Sequence, residues 1–380
     1  MEFLFLLFRY FPYGGLQRNC AMIGRECARR GHTVQVHTSR WDGERPDGLQ
    51  ITVHPLTALS NVGGETQLLE CVNRRLAEHR VDCVVGFNRM PGADFFYSGD
   101  PCFVVRHEDR GFLYRLQRKY RARLAWERAM LDPAANTEVF IVAARQKDEY
   151  QRIYGTPDER FHLLPPNVAR ETFQRDKYPT ARVDVRAEFA MPDEALVALL
   201  VGSRFKTKGL DRALLALAAL PPDLAPRTHL LVVGEDSPRD FEKLIDRLGV
   251  RERVRLAGGR TDVARLCAAA DILIHPARVE NTGTVILESV VMGLPVLVTD
   301  VCGYAPHVLT ADAGRVLTSP FDQNALNRTF AEMLQSPADR ARWSRNGCEY
   351  ARRPDLYGRE GRAADILETR ALRNRAGRCA

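Results

Sequence analysis

Two glutamates on either side of a short polar turn are the residues of this sequence best suited to binding a phosphorylated ligand. The segment HPARVENTGTVILESVVMGLPVLVTD (residues 275–300) places Glu280 directly before NTGT and Glu288 eight positions later, in a predicted helix. Backbone N–H groups of residues 281–284, at the helix start, would face an anion. At about 1.5 Å per residue the carboxylates would stand roughly 12 Å apart. That spacing suits opposite ends of an extended nucleotide-sugar, with the phosphates between them.

Two further turns follow predicted strands and could contact phosphate. The first, FPYGGLQR, places Gly14 and Gly15 where no β-carbon would keep a ligand from the backbone. It lacks the G-x-G-x-x-G pattern of dinucleotide-binding proteins, which argues against a nicotinamide dehydrogenase. The second, VGSRFKTKGLDR, places Lys208 in a basic loop at a strand end, where a lysine can clamp a phosphate. Taken alone, each is equally compatible with a tight turn or a solvated basic loop.

These motifs belong to a chain in which strands and helices alternate. The 380 residues are 45% apolar and 27% charged, which excludes a disordered chain and a collagen-like or coiled-coil rod. Predicted strands in the first half are EFLFLLF, TVQVHTS, CVVGF, EVFIVA and HLLPP, and a second series comprises ALVALLVGS, HLLVVG, RVRLAG, ILIHP and PVLVTD. Helical patterns separate most of them, so parallel sheets built from βαβ units are expected. The predicted fold is α/β with two Rossmann-like domains.

The predicted domains follow from the composition along the chain. We expect an N-terminal Rossmann-like domain over residues 1–166 and a second Rossmann-like domain over residues 167–355. The boundary rests on PPNVARETFQRDKYPTAR, which fits neither helical nor strand spacing. Residues 356–380 are helical and rich in alanine and arginine, and this tail could pack back on the N-terminal domain.

Several classes of protein are excluded by what the sequence lacks. No apolar run reaches the roughly 18 residues of a membrane-spanning helix, and the start of the chain is predicted to be a buried strand rather than a secretion signal. The nine cysteines contain no C-x-x-C pair, so neither a zinc site nor a redox pair is expected. They are typical of a protein in a reducing compartment.

Positive charge is concentrated in residues 103–130. This segment has eight Lys and Arg against three Asp and Glu, a net charge of +5, while the whole chain carries +7. Aromatic residues are interleaved with the basic ones, as in an amphipathic helix at an anionic lipid surface. A solvated helix whose aromatics face the core is the alternative, and no nucleic-acid partner is expected because no nucleic-acid-binding module accompanies the segment. The predicted membrane-surface residues are Arg115, Arg118, Lys119, Tyr120, Arg121, Arg123 and Trp126.

Taken together, the motifs resemble glycosyltransferase family 4, retaining enzymes of the GT-B fold. The resemblance rests on E-x7-E after a strand ending in HP, on GLPVLVT, on the glycine turn and on K-G at Lys208. More narrowly, RYFPYGGLQR, GFNRMPGAD and VCGYA are similar to the bacterial lipopolysaccharide core glucosyltransferase I enzymes. The similarity covers nearly the whole chain, from Leu4 to about residue 370. It implies two Rossmann-like domains that face each other across a cleft, with a helical C-terminal tail. By the same resemblance, the domain of residues 1–166 would bind the acceptor and that of residues 167–355 the nucleotide-sugar.

The resemblance also implies a role for each matching residue. Glu280 would lie near the transferred sugar, and Asp100, in FFYSGD, near the acceptor or the reacting sugar, so both are predicted to be catalytic. Uracil would lie against the backbone near Gly258. The predicted donor-binding residues are Gly14, Gly15, Lys208, Arg260, Gly283, Thr284 and Glu288.

The sequence departs from the family pattern in the basic loop. Ser203 and Thr207 stand where the family usually carries basic residues. Arg204 or Lys206 is expected to supply the missing positive charge.

The activity implied is a retaining, metal-independent transfer of a hexose, glucose from UDP-glucose, to a heptose of the lipopolysaccharide inner core. No D-x-D motif is present to hold a metal, so Lys208 and helix N-termini would neutralise the leaving UDP, and no cofactor is expected. A front-face exchange is favoured over a covalent intermediate, which needs a carboxylate within bonding reach. We expect a cytoplasmic enzyme, peripherally bound to the inner membrane. The alternatives are a UDP-sugar epimerase on the same fold, a UDP-sugar transferase with another glycan acceptor, and a non-catalytic binding protein.

Overall fold

The chain folds into two compact units. The structure, a computed structural model, describes residues 1–379 except positions 13, 59, 109, 110 and 238, with side chains as far as residue 377. Unit 1 comprises Met1–Pro166 and Gly358–Ala380, and unit 2 comprises Asn167–Tyr357. The first division falls between residues 166 and 167, and the second falls two residues after the start predicted for the C-terminal segment at 356.

Unit 1 is built on a parallel sheet of seven strands. In chain order the strands of this unit are β1 (Glu2–Leu6), β2 (Arg9–Tyr10), β3 (Thr33–Thr38), β4 (Arg40–Trp41), β5 (Leu49–Val53), β6 (Cys83–Gly86), β7 (Phe95–Ser98), β8 (Glu138–Ile141) and β9 (Phe161–Leu163). The order across the sheet is β5-β3-β1-β6-β7-β8-β9, and β2 and β4 pair separately. Every residue of β6, β7 and β8 is buried. These central strands are nearly continuous apolar runs because helices cover both faces of a parallel sheet.

The helices of unit 1 connect successive strands. They are α1 (Gly15–Arg29), α2 (Asn61–Glu78), α3 (Phe103–Arg106), α4 (Phe112–Arg115), α5 (Arg118–Leu131) and α6 (Arg145–Tyr154). The buried side of α1 carries Cys20, Ile23 and Cys27, spaced by three and four residues, which is the period of one helical face.

Unit 2 repeats the arrangement with six parallel strands, β10 (Leu196–Val201), β11 (Thr228–Val233), β12 (Val254–Leu256), β13 (Ile272–His275), β14 (Val296–Thr299) and β15 (Gly314–Leu317). The order across the sheet is β12-β11-β10-β13-β14-β15, the 3-2-1-4-5-6 order of a Rossmann fold. Its helices are α7 (Ala181–Glu188), α8 (Phe205–Lys208), α9 (Leu210–Ala218), α10 (Arg239–Arg247), α11 (Val263–Ala269), α12 (Thr284–Val291), α13 (Ala305–Thr310), α14 (Gln323–Gln335) and α15 (Pro337–Tyr350).

The final helix, α16 (Arg359–Cys379), belongs to unit 1 although unit 2 precedes it in the chain. Its apolar side, which includes Ala363, Leu367 and Ala371, is fully buried in the same core as α1. Ion pairs anchor its polar side, among them Arg30 with Asp365 (2.7 Å). The small alanines allow the helix to approach the unit closely.

The basic segment differs from the single amphipathic helix that was expected over residues 103–130. It forms three shorter helices, α3, α4 and α5. The backbone is extended at Gly111 (ψ 162°) and at Gln117 (ψ 137°), which interrupts the helical hydrogen bonds. Within the described residues, no helix of the chain has both the length and the apolar character to cross a membrane.

The burial of α16 predicts that unit 1 depends on the C-terminal helix for stability. Leu367→Ala should lower the free energy of unfolding by about 2–5 kcal/mol, because it removes a fully buried leucine from a packed core. Leu372→Ala, on the same helix but 57% exposed, should change it by less than about 0.5 kcal/mol. Urea unfolding of both variants measures the difference, and equal stabilities would contradict the placement of α16 in the core.

Candidate active site

The predicted site residues lie at the carboxyl edges of the two sheets. In each sheet the strand order reverses next to the first strand, between β1 and β6 in unit 1 and between β10 and β13 in unit 2. Ligands of open α/β sheets bind at this switch point, outside the carboxyl ends of the strands. Lys208 follows β10 and Glu280 follows β13, so the fold of unit 2 brings both to its switch point.

Gly14 and Gly15 lie in the turn between β2 and α1 of unit 1. A β-carbon on Gly14 would lie 1.9 Å from Oε1 of Gln17, so a larger residue would displace that side chain. Gln17 is held there because its amide donates to the carbonyl oxygen of Arg9 (3.0 Å). A β-carbon on Gly15 would meet nothing within 4 Å. The backbone at Gly15, the first residue of α1, is therefore open to a ligand.

Asp100 lies just beyond the carboxyl end of β7. Its carboxylate is half exposed and stands 3.7 Å from Nη1 of Arg106 and 4.0 Å from Nη1 of Arg89. Arg89 also forms an ion pair with the fully buried Glu127 and donates to the carbonyl oxygen of Pro101 (2.8 Å). The buried pair thus fixes the loop that carries Asp100, while half of the Asp100 side chain stays exposed to solvent.

Lys208 and Glu280 form an ion pair at the centre of the unit 2 site, and their side chains are only 15% and 12% exposed. Oε2 of Glu280 also lies 3.4 Å from Nε2 of the buried His275. A carboxylate can only accept, so the imidazole donates through Nε2. Oε1 of Glu280 accepts the N–H of Asn281 (3.1 Å). That N–H, one of four expected to face a phosphate, is instead taken by the carboxylate.

The ion pair keeps Glu280 charged. Burial would raise the pKa of Glu280, but the hydrogen bond from His275 and the charge of Lys208 outweigh it and lower the pKa to about 2. Burial lowers the pKa of His275, with Glu280 opposing, so the ring is neutral at pH 7. A carboxylate that is ionised over the whole physiological range can stabilise positive charge but cannot act as a general acid.

The loop that carries Lys208 requires an unusual backbone. Gly209 has φ of +80°, and a β-carbon there would lie 2.1 Å from the carbonyl oxygen of Pro276. Arg204 is in the left-handed region with φ of +62°, where a non-glycine residue is strained. The side chains of Arg204 and Lys206 are both exposed. Their replacement of the basic residues missing at Ser203 and Thr207 stays a prediction.

Helix α12 begins at Thr284, and Gly283 caps it with φ of +76° and no side-chain hydrogen bond. Glu280 consequently lies in the loop before the helix. The estimate of roughly 12 Å assumed one continuous helix, and the helix does not include Glu280. Glu288 lies in the second turn and is partly exposed, whereas its neighbours Leu287 and Ser289 are buried.

Arg260 and Gly258 lie beyond the end of β12. The guanidinium of Arg260 forms ion pairs with Glu188 and Asp262, both at 2.8 Å, so its charge is already neutralised. Gly258 is exposed and has φ of +67°. Of the two, the backbone at Gly258 is the part better placed to contact a base.

The structure divides the predicted membrane-surface residues into two groups. Arg118, Lys119 and Arg123 line a cavity of unit 1, whereas Arg115 and Arg121 do not; all of these except the partly buried Arg123 are exposed. Trp126 is partly buried. Two charged residues of the same segment, Asp109 and Arg110, lie outside the described residues.

Tyr120 is not on the exposed face of the basic segment. It is only 6% exposed, because its ring packs 5.1 Å from that of Phe103. The exposed apolar side chains are instead Phe112, Leu113 and Leu116, at 73%, 80% and 53% exposure.

Sequence reasoning missed two residues that shape the site. His275 was noted only as part of a strand end, yet its ring contacts Glu280. Arg278 forms a bidentate ion pair with Asp211 (2.8 and 2.7 Å) and donates to the carbonyl oxygen of Lys206 (2.8 Å), so it joins the Lys208 loop to the Glu280 loop. The segment HPAR could have indicated both His275 and Arg278, because polar residues at the end of a buried strand lie at the carboxyl edge of the sheet. Among the described residues, no cluster of three or more His, Cys, Asp or Glu could hold a metal ion.

Comparison with known proteins agrees with this architecture. The chain matches the family model Glycosyltransferase Family 4 over residues 13–171 and the model Glycosyl transferases group 1 over residues 182–350. It is 40% identical to the lipopolysaccharide glucosyltransferase WaaG of Escherichia coli (strain K12) over 364 residues, which is 96% of this chain and 97% of that protein.

Solved structures show the same fold. The crystal structure of WaaG, a glycosyltransferase involved in lipopolysaccharide biosynthesis, superimposes with a TM-score of 0.90 and covers 96% of this chain and 99% of its own. Anabaena Alr3699/HepE in complex with UDP and glucose, at 18% identity, has a TM-score of 0.74 and covers 97% and 100%.

Two Rossmann-like units, each with its site residues at the carboxyl edge of a parallel sheet, define a glycosyltransferase of the GT-B fold. The predicted fold class and the predicted enzyme class are therefore confirmed. The chain belongs to glycosyltransferase family 4, in the group of lipopolysaccharide glucosyltransferases that WaaG represents.

The lowered pKa of Glu280 predicts a loss of stability in acid. Because the folded-state pKa lies near 2 and the ordinary value is 4.5, the ionised group stabilises the fold above pH 4.5, and this contribution, on the order of 3 kcal/mol, is lost as the pH falls toward 2. Glu280→Gln should remove that part of the pH dependence. Unfolding free energies between pH 7 and pH 3 measure it, with the exposed Glu252→Gln as the control. Parallel curves for Glu280→Gln and the unaltered protein would contradict the lowered pKa.

Proposed function

We propose that this chain transfers glucose from UDP-glucose to a heptose of the lipopolysaccharide core, with retention of configuration and without a metal. The observation that carries the proposal is the Lys208–Glu280 ion pair at the switch point of unit 2, beside the helix start at Gly283. A lysine and a helix N-terminus neutralise a diphosphate. The 40% identity to a lipopolysaccharide glucosyltransferase supports glucose as the transferred sugar.

The proposed chemistry assigns different tasks to the two charges of the ion pair. The bond from glucose C1 to the phosphate oxygen breaks while a bond from C1 to the acceptor oxygen forms on the same face, and the acceptor proton passes to the leaving phosphate. Lys208 stabilises the negative charge on the departing UDP. Glu280, ionised because its pKa is about 2, stabilises the positive charge that develops at C1. A front-face exchange of this kind needs no enzyme nucleophile, and the lack of a D-x-D motif supports a metal-free reaction.

The remaining site residues are proposed to position the substrates. In unit 2, the carboxylate of Glu288 accepts hydrogen bonds from the ribose, and the exposed backbone at Gly258 contacts the uracil. In unit 1, the open backbone at Gly15 contacts the donor, and Asp100 accepts a hydrogen bond from the acceptor. The two arginines beside Asp100 keep that carboxylate oriented.

Donor binding tests the role assigned to Lys208. In the presence of EDTA, UDP and UDP-glucose should raise the melting temperature by a few degrees at about 100 times the dissociation constant, whereas GDP-mannose and ADP-glucose should not. Lys208→Ala should abolish the shift, because the diphosphate loses its cation.

The exposed Lys243→Ala, on α10, is the matched control and should keep the full shift. A shift that appears only with a divalent metal would overturn the metal-free proposal. If UDP-glucose binds but no product forms with a lipopolysaccharide acceptor, the acceptor or the transfer itself is wrong, and an epimerase becomes the better explanation.

We further propose that the basic segment binds the enzyme to the cytoplasmic face of the inner membrane. Phe112, Leu113 and Leu116 are apolar yet mostly exposed, and Arg115 and Arg121 lie beside them in the sequence. Apolar side chains that insert between lipids, together with basic residues that contact anionic headgroups, are the two signals that stable peripheral binding requires.

Vesicle binding tests the membrane proposal. Replacing Phe112, Leu113 and Leu116 by serine should weaken binding to phosphatidylglycerol vesicles at least about tenfold, since about 1.4 kcal/mol of apolar burial suffices for that change. UDP-induced stabilisation should be unaffected. Leu163→Ser, which alters an exposed leucine elsewhere in unit 1, is the control. Unchanged vesicle binding in the triple variant, or an equal loss of UDP binding, would contradict the proposal.

A further inference from the structure

Unit 1 contains a cavity that the proposed donor chemistry does not use. It lies between the start of α2 and the helices of the basic segment, and its volume is about 880 Å³. A volume of this size is within the range of small-molecule binding sites. All the residues that line it belong to residues 58–67 and 103–123, so the cavity is formed within this unit alone.

The cavity has a marked excess of positive charge. Arg118, Lys119 and Arg123 line it, and the described residues of its wall include no Asp or Glu. Arg123 is held in place by Glu65 (3.0 Å), which stands behind it. Within the described part of the chain, neither Arg118 nor Lys119 forms an ion pair, and the ammonium of Lys119 lies 5.6 Å from the ring of Tyr114. Two of the three positive charges are therefore available to an anion.

Aromatic rings form a continuous wall of the same cavity. The rings of Phe103 and His107 are 4.4 Å apart, and that of His107 stacks on Tyr114 at 5.5 Å. Tyr120 closes the group, with its ring 5.7 Å from that of Tyr114. Contacts among the rings fix their orientation, because aromatic pairs prefer such offset and edge-to-face geometries. The nearly parallel rings of His107 and Tyr114 (17° between their planes) provide an apolar face for the C–H groups of a sugar ring.

The opposite side of the cavity is polar. Ser60 caps α2 by accepting the N–H of Gly63 (3.1 Å), and its hydroxyl hydrogen can still be donated. The hydroxyl of Thr66 donates to the carbonyl oxygen of Val62 (2.8 Å) and can still accept. The lining thus includes a hydroxyl donor and a hydroxyl acceptor, as hydrogen bonding to sugar hydroxyls requires.

We propose that this cavity binds an anionic sugar of the acceptor, a saccharide unit that carries a phosphate or a carboxylate group. Arg118, Lys119 and Arg123 hold the anionic group, and the ring of Tyr114 contacts the sugar. The inference rests on the proposed transfer to a lipopolysaccharide core and adds a second binding site for that acceptor. It also gives these three basic residues a function distinct from that of Arg115 and Arg121, which do not line the cavity.

Acceptor kinetics test the proposal with a soluble substrate. The probe is a deacylated lipopolysaccharide core oligosaccharide that lacks the added glucose, which removes any contribution from membranes. The double variant Arg118→Gln/Lys119→Gln should raise the KM for this oligosaccharide at least about tenfold, while kcat and the KM for UDP-glucose stay within about twofold. The single variant Lys119→Arg, which keeps both Arg118 and the positive charge at position 119, should retain most of the affinity of the unaltered enzyme for the oligosaccharide. Arg128→Gln removes the same charge from an exposed position of α5 outside the cavity and should leave all three constants unchanged.

The same oligosaccharide after enzymatic dephosphorylation identifies the anionic group. If the cavity binds a phosphate, dephosphorylation should raise the KM of the unaltered enzyme for the oligosaccharide. It should not raise the KM of the double variant any further. If the cavity binds a carboxylate, dephosphorylation should leave the KM of the unaltered enzyme unchanged. The double variant should still have the higher KM. A KM for the intact oligosaccharide that is the same in the double variant and the unaltered enzyme overturns the proposal. So does a loss confined to the binding of phosphatidylglycerol vesicles, which would make the cavity a lipid site.

Direct binding separates this proposal from the proposed function. Isothermal titration of the oligosaccharide into the protein needs no turnover, so it reports on the cavity even if glucose transfer fails. If the unaltered enzyme binds the oligosaccharide and the double variant does not, the cavity site is supported, independently of the result of the transfer assay. If the unaltered enzyme transfers glucose and the double variant binds the oligosaccharide normally, the proposed function is supported and the proposed cavity site is refuted.

Discussion

The ion pair between Lys208 and Glu280 is the interaction on which the unit 2 site depends. The two residues are 72 positions apart in the chain, and they meet because β10 and β13 are neighbours at the switch point. Both are largely buried, so removing either partner would leave an uncompensated charge in a dry site. The pair therefore stabilises the loops, and in the proposed reaction its two charges act on the departing diphosphate and on the electron-poor sugar carbon.

The same physical constraint recurs in unit 1. Glu127 is fully buried, and it accepts from both the guanidinium of Arg89 and the N–H of Phe103 (2.9 Å). Through this pair the end of β7, which carries Asp100, is tied to α5 in the basic segment. The positions of the Asp100 carboxylate and of α5 consequently depend on one buried charge pair, so we expect a change in either element to alter the other.

In the basic segment, tertiary packing places residues of similar type in different environments. The interleaving of arginines with aromatics predicted one amphipathic surface. In the structure the aromatic rings of His107, Tyr114 and Tyr120 contact one another, while Phe112 and Leu113 project into solvent. The segment is divided because an extended backbone at Gly111 and Gln117 turns successive short helices in different directions. The segment thus contributes three basic residues to a cavity and separately exposes apolar side chains to solvent.

The sequence by itself determined the alternation of strands and helices, the two Rossmann-like units and the motifs at the strand ends, because hydrophobic periodicity and glycine turns are local properties of the chain. It did not single out β5, β7 or β15, which are short or lie at sheet edges, where local patterns are weak. Only the tertiary structure decided that Lys208 forms an ion pair with Glu280 and that Tyr120 is buried. It also decided that the Glu280 carboxylate accepts a hydrogen bond from the N–H of Asn281. These contacts join residues according to strand order and side-chain packing, and neither is encoded in the spacing of any one motif.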